Sequence, residues 1–503
     1  MARTLMMQGT ASHVGKSLLT AAFCRMFARR GWRVAPFKAQ NMSNNAAVCV
    51  DGSEIGRAQA LQALAAGVEP TADMNPVLLK PESDAHCQAI VLGRPWRSLS
   101  ARDYLGRKRE LWGAVTGSLD RLRDGYDLVV IEGAGSPVEL NLKAGDIVNM
   151  AVARYARSPV LLVGNIDVGG VFAQLLGTLA LLDPDDRATV RGLIVNQFRG
   201  DPSLFVDGVS ILEERGGVPV LGVVPYLRDL GLPDEDAVAV GAFATAPAEG
   251  AEIDVAVVRL PRIANFDDFD PLRAEPGVRV RYVDDAARLG RPHALILPGT
   301  KSTAADLRWL QERGLGDAVA RLAEAGTAVV GICGGYQMLG RVVRDPLGVE
   351  GAAGETPGIG LLDVETTFEG EKATHRARAR FVGGPGWLDR LRGQEVSGYE
   401  IHMGRTPSRQ PLMDVVERGG AGCSVPDGAS ACDGRVWGCY LHGLFANDPF
   451  RRAWLTTLAP DSRPRINPEA GRIETALDRL ADAVEAAVPF GAVERIVSEG
   501  VDG

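Results

Sequence analysis

Two successive α/β domains with mostly parallel sheets are predicted for this chain, on three observations. A glycine loop, Gly9-Thr10-Ala11-Ser12-His13-Val14-Gly15-Lys16-Ser17, stands between a short strand, Leu5 to Gln8, and an apolar helix, Leu18 to Arg29. Apolar runs bounded by glycine or proline then alternate with helical segments through both halves. In the second half, Gly331-Ile332-Cys333-Gly334-Gly335 falls between a buried strand, Thr327 to Val330, and a helix read over Tyr336 to Val343.

A chain of 503 residues is too long for a single core. The pattern weakens between Pro233 and Glu252, so a first domain is expected over 1–235, a linker over 236–252, a second domain over 253–449 and a helical tail over 450–503. Lys plus Arg number 55 against 63 Asp plus Glu, with no basic tract, which leaves no electrostatic case for nucleic acid. No apolar run reaches about 18 residues, and the first strand begins too close to Met1 for a signal peptide. A cytoplasmic protein without a membrane partner is expected, and nothing sets an oligomeric state. Seven cysteines, an odd number without C-x-x-C spacing, argue against a disulfide framework or a zinc site.

Taken in order, the first loop can surround phosphates with N–H groups, Lys16 can reach the terminal phosphates and Ser17 can ligate magnesium. It departs from the standard spacing, since Gly9 lies one residue early and Thr10 takes the usual glycine place. Loops of this kind resemble those of dethiobiotin synthetase and the partitioning ATPases. The strand Asp127 to Ile131 ends in Glu132, placed for a second magnesium contact or for a turn. Apolar runs at Ser158 to Gly164, Arg191 to Asn196 and Val218 to Val224 extend the sheet, whose carboxyl ends carry Asn165-Ile166-Asp167 and Asn196-Gln197-Phe198. Asn196 is counted among the nucleotide contacts, whereas Asp167 reads equally well as a helix cap. Two polar stretches, read as loops, offer Lys38, Gln40, Asn41 and Lys80 to a carboxylate-bearing substrate beside the nucleotide, or are simply solvated. Glu54 is a further magnesium candidate or a helix N-terminal carboxylate.

In the second half, strands at Ile253 to Leu260, Val278 to Val283, Ala294 to Leu297 and Ala328 to Val330 lead into the cysteine turn. A nucleophile elbow needs small neighbours, because the backbone of the nucleophile is strained. A core cysteine between packing glycines would show the same five residues. The N–H groups of Gly334 and of Gly299 or Thr300 could form an oxyanion hole. A cysteine nucleophile needs a base, and His442, delivered by the strand Arg435 to Leu441, is preferred to His402. In the tail, Leu477, Leu480, Val484 and Val488 form an amphipathic stripe that serves packing.

Beyond these motifs, four longer stretches carry a resemblance. Pro36 to Asn45, Asn165 to Phe172, Leu260 to Asp270 and Ser397 to Gly404 are similar to the cobyric acid synthases, glutamine-hydrolysing amidotransferases of the cobalamin pathway. The resemblance runs from Gly9 to about Phe450. It implies a P-loop, dethiobiotin-synthetase-like ATP-binding domain followed by a flavodoxin-like class I glutamine amidotransferase domain. It also implies ATP, magnesium, glutamine and a corrinoid, adenosylcobyrinic acid a,c-diamide, amidated at its b, d, e and g carboxylates. Many class I glutaminases carry a glutamate two residues after the histidine, where this chain has Leu444, so the orienting group must come from elsewhere or be missing. Alternatives left standing are the sister cobyrinic acid a,c-diamide synthase, a partitioning or regulatory ATPase, and a glutamine-fed ligase for a non-corrinoid acid.

Overall fold

The computed structural model describes residues 1–227, 230–233, 252–351, 353–460, 467–469 and 471–501. Of the expected linker over 236–252, only Glu252 falls within them; the rest lies outside the described residues. The first half folds around strands that are apolar on both faces. Arg3–Gly9, Leu128–Glu132 and Val160–Asn165 are buried almost end to end, the pattern of a parallel sheet covered on both sides. Six parallel strands lie in the order Val220–Pro225, Val190–Phe198, Val160–Asn165, Arg3–Gly9, Leu128–Glu132, Val34–Phe37. Their carboxyl ends therefore share one edge, and the register sets Met7 beside Glu132 and Asn165 beside Asn196 there.

The two polar stretches read as loops contain strands instead. Gln40–Met42 and Val77–Pro81 pair in a four-stranded sheet with His86–Val91 and Arg94–Ser100. Their amides serve the backbone: Asn75 Nδ2 donates to the carbonyls of Lys38 and Val77, and its Oδ1 accepts the Gly56 N–H at 3.0 Å.

In the second half, Val278–Val283, Ile253–Val258, Ala294–Leu297, Ala328–Ile332 and Val436–Cys439 form a parallel sheet. Numbered along the chain, that order is 2-1-3-4-5, the flavodoxin-like arrangement. Inserted before its last strand is a mixed sheet that the sequence did not disclose, centred on Glu365–Phe381 and its partners Glu395–Arg405 and Met413–Arg418. The helix after Cys333 is also shorter than read. It spans Gly334–Leu339 and stops at Gly340, whose backbone is extended, and Val342–Asp345 is a strand.

The C-terminal stretch is divided between the halves. Helix Asp448–Leu458 buries Phe450, Trp454 and Leu455 in the core of the second domain. Helices Arg472–Ala487 and Phe490–Glu499 return to the first sheet, where Leu477, Leu480, Val484 and Val488 join Leu19, Phe23 and Phe27 in one core. Ion pairs from Arg25 to Asp478 at 2.8 Å and from Arg29 to Asp482 at 2.6 Å flank that stripe. Backbone approaches backbone here, since a Cβ on Gly222 would overlap the Ala487 carbonyl.

The halves are also joined by charge. Strand Glu54–Gly56, paired with Ala46–Val48, places Glu54 between Lys80 Nζ and Lys372 Nζ, each 2.5 Å from one carboxylate oxygen. Burial alone would favour the protonated acid, but the two ammonium groups outweigh it and lower the Glu54 pKa from 4.5 to about 2. Glu54 is thus a structural counter-ion and stands away from the phosphate loop. A folded pKa below the ordinary one contributes stability above pH 4.5 that is lost as the pH falls toward 2. Glu54→Gln is expected to cost about 3–5 kcal/mol at pH 7, because two buried cations lose their partner. In denaturation experiments that deficit should shrink as the pH drops below 4.5, and an unchanged midpoint at pH 7 would refute the assignment.

Candidate active site

Cys333 is the hinge between strand Ala328–Ile332 and helix Gly334–Leu339, with φ 51° and ψ −108°. Such a conformation costs a non-glycine residue about 1–3 kcal/mol and persists only where the surroundings enforce it. The flanking glycines provide that enforcement. A Cβ on Gly331 would come within 2.6 Å of the Gly335 carbonyl oxygen and the Tyr336 nitrogen, and one on Gly335 would overlap the Leu297 carbonyl. The motif is therefore a packing requirement of a strained turn, and it turns Cys333 into a cavity shared with Thr300, Gln337, Ile401, His402 and His442. A Cβ on Gly334 would lie 3.1 Å from the Thr300 nitrogen, so the backbone at Thr300 closely approaches Gly334. Gly299 packs directly against the imidazole of His442.

His442 is brought to the cysteine by sheet register. Ile332 pairs with Cys439, the Cys333 N–H donates to the Cys439 carbonyl at 2.8 Å, and the chain then bends at His442. The imidazole is 1% exposed, with Nδ1 2.7 Å from Asp268 Oδ2, while Asp268 Oδ1 accepts the Gly443 N–H at 2.8 Å. Tyr399 stacks on the ring at 5.1 Å and exchanges two backbone hydrogen bonds with His442. With Nδ1 committed to the carboxylate, Nε2 is left for the cysteine. Burial alone would lower the imidazole pKa, but the charges of Asp268 and Cys333 outweigh it and raise it to about 10. A histidine so placed is held as a proton carrier beside the thiol.

Asp268 is the residue that sequence reasoning missed. It lies 174 positions before His442, on the short turn Phe266–Phe269, while Leu444 is simply buried core. A signal was present, because Asn265-Phe266-Asp267-Asp268-Phe269-Asp270 sets acids among aromatic residues that must be buried. His402, the rival, stacks on Tyr440 at 3.8 Å, with Nδ1 on the Gly404 carbonyl and Nε2 3.5 Å from Glu400.

A second cavity, of about 740 Å³, opens at the carboxyl edge of the first sheet. Gly15, Lys16, Ser17, Lys38, Gln40, Asn41 and Glu132 line it, together with Arg57, Asp270 and Arg273, and Arg472 from the returning helix. Gly15 has φ 93° and opens helix Lys16–Ala28. Lys16 Nζ reaches the carbonyls of Ala11 and Gly135 at 2.9 and 3.2 Å. Glu132, which is 1% exposed, gathers Ser17 Oγ at 2.8 Å, Lys38 Nζ at 2.7 Å and Gln62 Nε2 at 2.6 Å.

Other predicted residues stand elsewhere. Gly9 is sterically required, because a Cβ there would meet Val14 and Lys16, and the Thr10 hydroxyl donates to Gln174. Asn196 supports the loop from behind, donating to the Val14 carbonyl at 2.8 Å, while its neighbour Gln197 lines the cavity. Asp167 pairs with Arg199 and does not cap the following helix, which begins after Gly170. Lys80 lines the Cys333 cavity instead of the phosphate-loop cavity, because strand Val77–Pro81 runs toward the second domain.

Comparison with known proteins follows the same division. Residues 5–237 match the CobQ/CobB/MinD/ParA nucleotide binding domain, and residues 254–450 match the CobB/CobQ-like glutamine amidotransferase domain. Along its length the chain is similar to the cobyric acid synthase of Chloroflexus aurantiacus, 56% identical over 99% of both chains. It is similar also to those of Roseiflexus castenholzii, 55% identical over 97% of both, and Sorangium cellulosum, 52% identical over 99% of both. With a nucleotide-binding half, a glutamine amidotransferase half and relatives alike from end to end, the chain belongs to the cobyric acid synthase family.

Proposed function

We propose that this enzyme uses ATP and glutamine to amidate the b, d, e and g carboxylates of adenosylcobyrinic acid a,c-diamide, giving adenosylcobyric acid. The observation that carries the reading is the presence in one chain of a strained cysteine beside an oriented, buried histidine and of a separate phosphate-type loop opening on a large cavity. The Cys333 thiolate, whose proton is held on His442 Nε2, attacks the side-chain amide carbon of glutamine. The oxyanion accepts hydrogen bonds from Gly334 and from Thr300 or Gly299. His442 returns the proton to the leaving nitrogen, ammonia departs, and water hydrolyses the thioester to glutamate. Asp268 holds the imidazole throughout. Lys301 and Glu350, which line the same cavity, are placed to meet the amino-acid end of glutamine.

At the other site, Lys16 and the loop amides hold the phosphates, with Lys38, Gln40 and Asn41 beside the corrinoid carboxylate. The Ser17 hydroxyl next to the Glu132 carboxylate is an oxygen pair of the kind a hard cation takes. Bound there, magnesium would neutralise phosphate charge. Phosphoryl transfer makes the carboxylate an acyl phosphate, which ammonia then attacks, expelling phosphate. Ammonia travels inside the protein, since free in solution near neutral pH it is mostly protonated and no longer nucleophilic.

Three substitutions test these roles. Cys333→Ala is expected to abolish glutamine-dependent amidation and to keep amidation supported by ammonium salt; loss of both would mean that the cysteine does more than release ammonia. Lys16→Ala should lose amidation with either nitrogen source, and normal turnover with ammonium would remove the loop from the mechanism. For Asp268→Asn, glutamine hydrolysis should fall by about 10²–10⁴ with the fold intact, the size of effect seen when a catalytic histidine loses its orienting carboxylate.

A further inference from the structure

Arg57 has no place in either half-reaction, yet its side chain reaches from the phosphate-loop cavity to the supports of His442. It is the first residue of helix Arg57–Ala66 in the nucleotide-binding half and lines the phosphate-loop cavity. Its guanidinium reaches across to the second domain. There Nη2 donates to the Tyr399 hydroxyl at 2.6 Å, Nε lies 3.0 Å from Asp267 Oδ2, and the group sits 5.1 Å from the Tyr399 ring centroid. Both contacts are supports of His442. Asp267 precedes Asp268 on the turn that supplies the orienting carboxylate, and Tyr399 is the ring stacked on the imidazole.

We infer that Arg57 is a positioning residue for glutamine hydrolysis, supplied by the opposite domain and acting through Asp267 and Tyr399 on the Asp268–His442 pair. The inference rests on the roles assigned above to Cys333 and His442. Electrostatics supports the geometry. Asp267, partly buried, and Asp268, buried, are consecutive carboxylates, and Arg57 and His442 are the cations that face them. Burial raises the Asp267 pKa, with Asp268 adding to the effect and Arg57 opposing it. Without Arg57 the two acids would compete for one imidazolium, and the turn would lose the charge that holds Asp267 outward. A second tie from the same domain reaches this turn, because the Ala46 N–H donates to Asn265 Oδ1 at 2.9 Å while Asn265 takes a left-handed φ of 51°. The turn is thus fixed by the nucleotide-binding half at two points.

The test is steady-state glutamine hydrolysis by the full-length enzyme, with kcat and KM measured separately. Arg57→Gln is expected to lower kcat at least tenfold with KM for glutamine within twofold, because the cavity that binds glutamine is untouched. Tyr399→Phe, which keeps the stacked ring and removes the hydroxyl, should lower kcat in the same sense. The double variant should be no slower than Arg57→Gln alone, the non-additivity expected of two residues joined in one contact. If Arg57→Gln does not fold, Asp267→Asn probes the same contact and should likewise lower kcat at constant KM. Unchanged kcat in the folded variants, losses that multiply in the double variant, or a fall confined to KM would overturn the inference. Cys333→Ala serves as the control. If it still hydrolyses glutamine, the site assignment itself fails, whereas a dead Cys333→Ala beside a fully active Arg57→Gln defeats only the role of Arg57.

Discussion

The hydrogen bond between His442 Nδ1 and Asp268 Oδ2 is the interaction on which the chemistry proposed for the second domain depends. It joins the end of the last parallel strand to a turn that follows the first, so it forms only when the whole sheet is assembled. It fixes which imidazole nitrogen faces the cysteine and keeps a positive charge next to the sulfur in a buried place. The strained backbone of Cys333 would be wasted without it, since a turn that presents a thiol achieves nothing until a base stands opposite. Both partners are almost fully buried, so the pair must be fully satisfied, and it is: Asp268 takes a second bond from Gly443, and Tyr399 covers the ring.

What could be read from the sequence was what is local. The phosphate loop and the cysteine turn are each written in a short consecutive stretch, and their glycines mark close backbone approaches. The parallel strands announced themselves as apolar runs for the same reason. Asp268 is not legible in that local way, because its partner His442 lies 174 positions further along the chain. The mixed sheet around Glu365–Phe381 was concealed by composition. Arg378 and Arg380 line the solvent side and pair there with Glu395 and Glu417 of neighbouring strands, so the segment reads as a charged surface. Lys80 and Glu54 were misplaced because their meaning lies in a contact between domains, with Lys372 as the missing third member.

The two cavities have different physical characters that suit different tasks. One is small and surrounds a thiol, with lysines and a glutamate in its lining. The other is large and open enough for a nucleotide beside a bulky acid, and it draws its walls from the first sheet, the second domain and the returning C-terminal helix. The two C-terminal helices complete the core beneath the phosphate loop.

The central claim is that nitrogen freed at Cys333 reaches the activated carboxylate without leaving the protein. The direct measurement is amidation with glutamine carrying ¹⁵N in its side-chain amide, in the presence of a large excess of unlabelled ammonium at a pH where little free ammonia is present. Retention of ¹⁵N in the new corrinoid amides, undiluted by the solvent pool, is the result expected. Product whose label falls in proportion to the added ammonium would contradict the account, and would mean that the two sites merely share a chain.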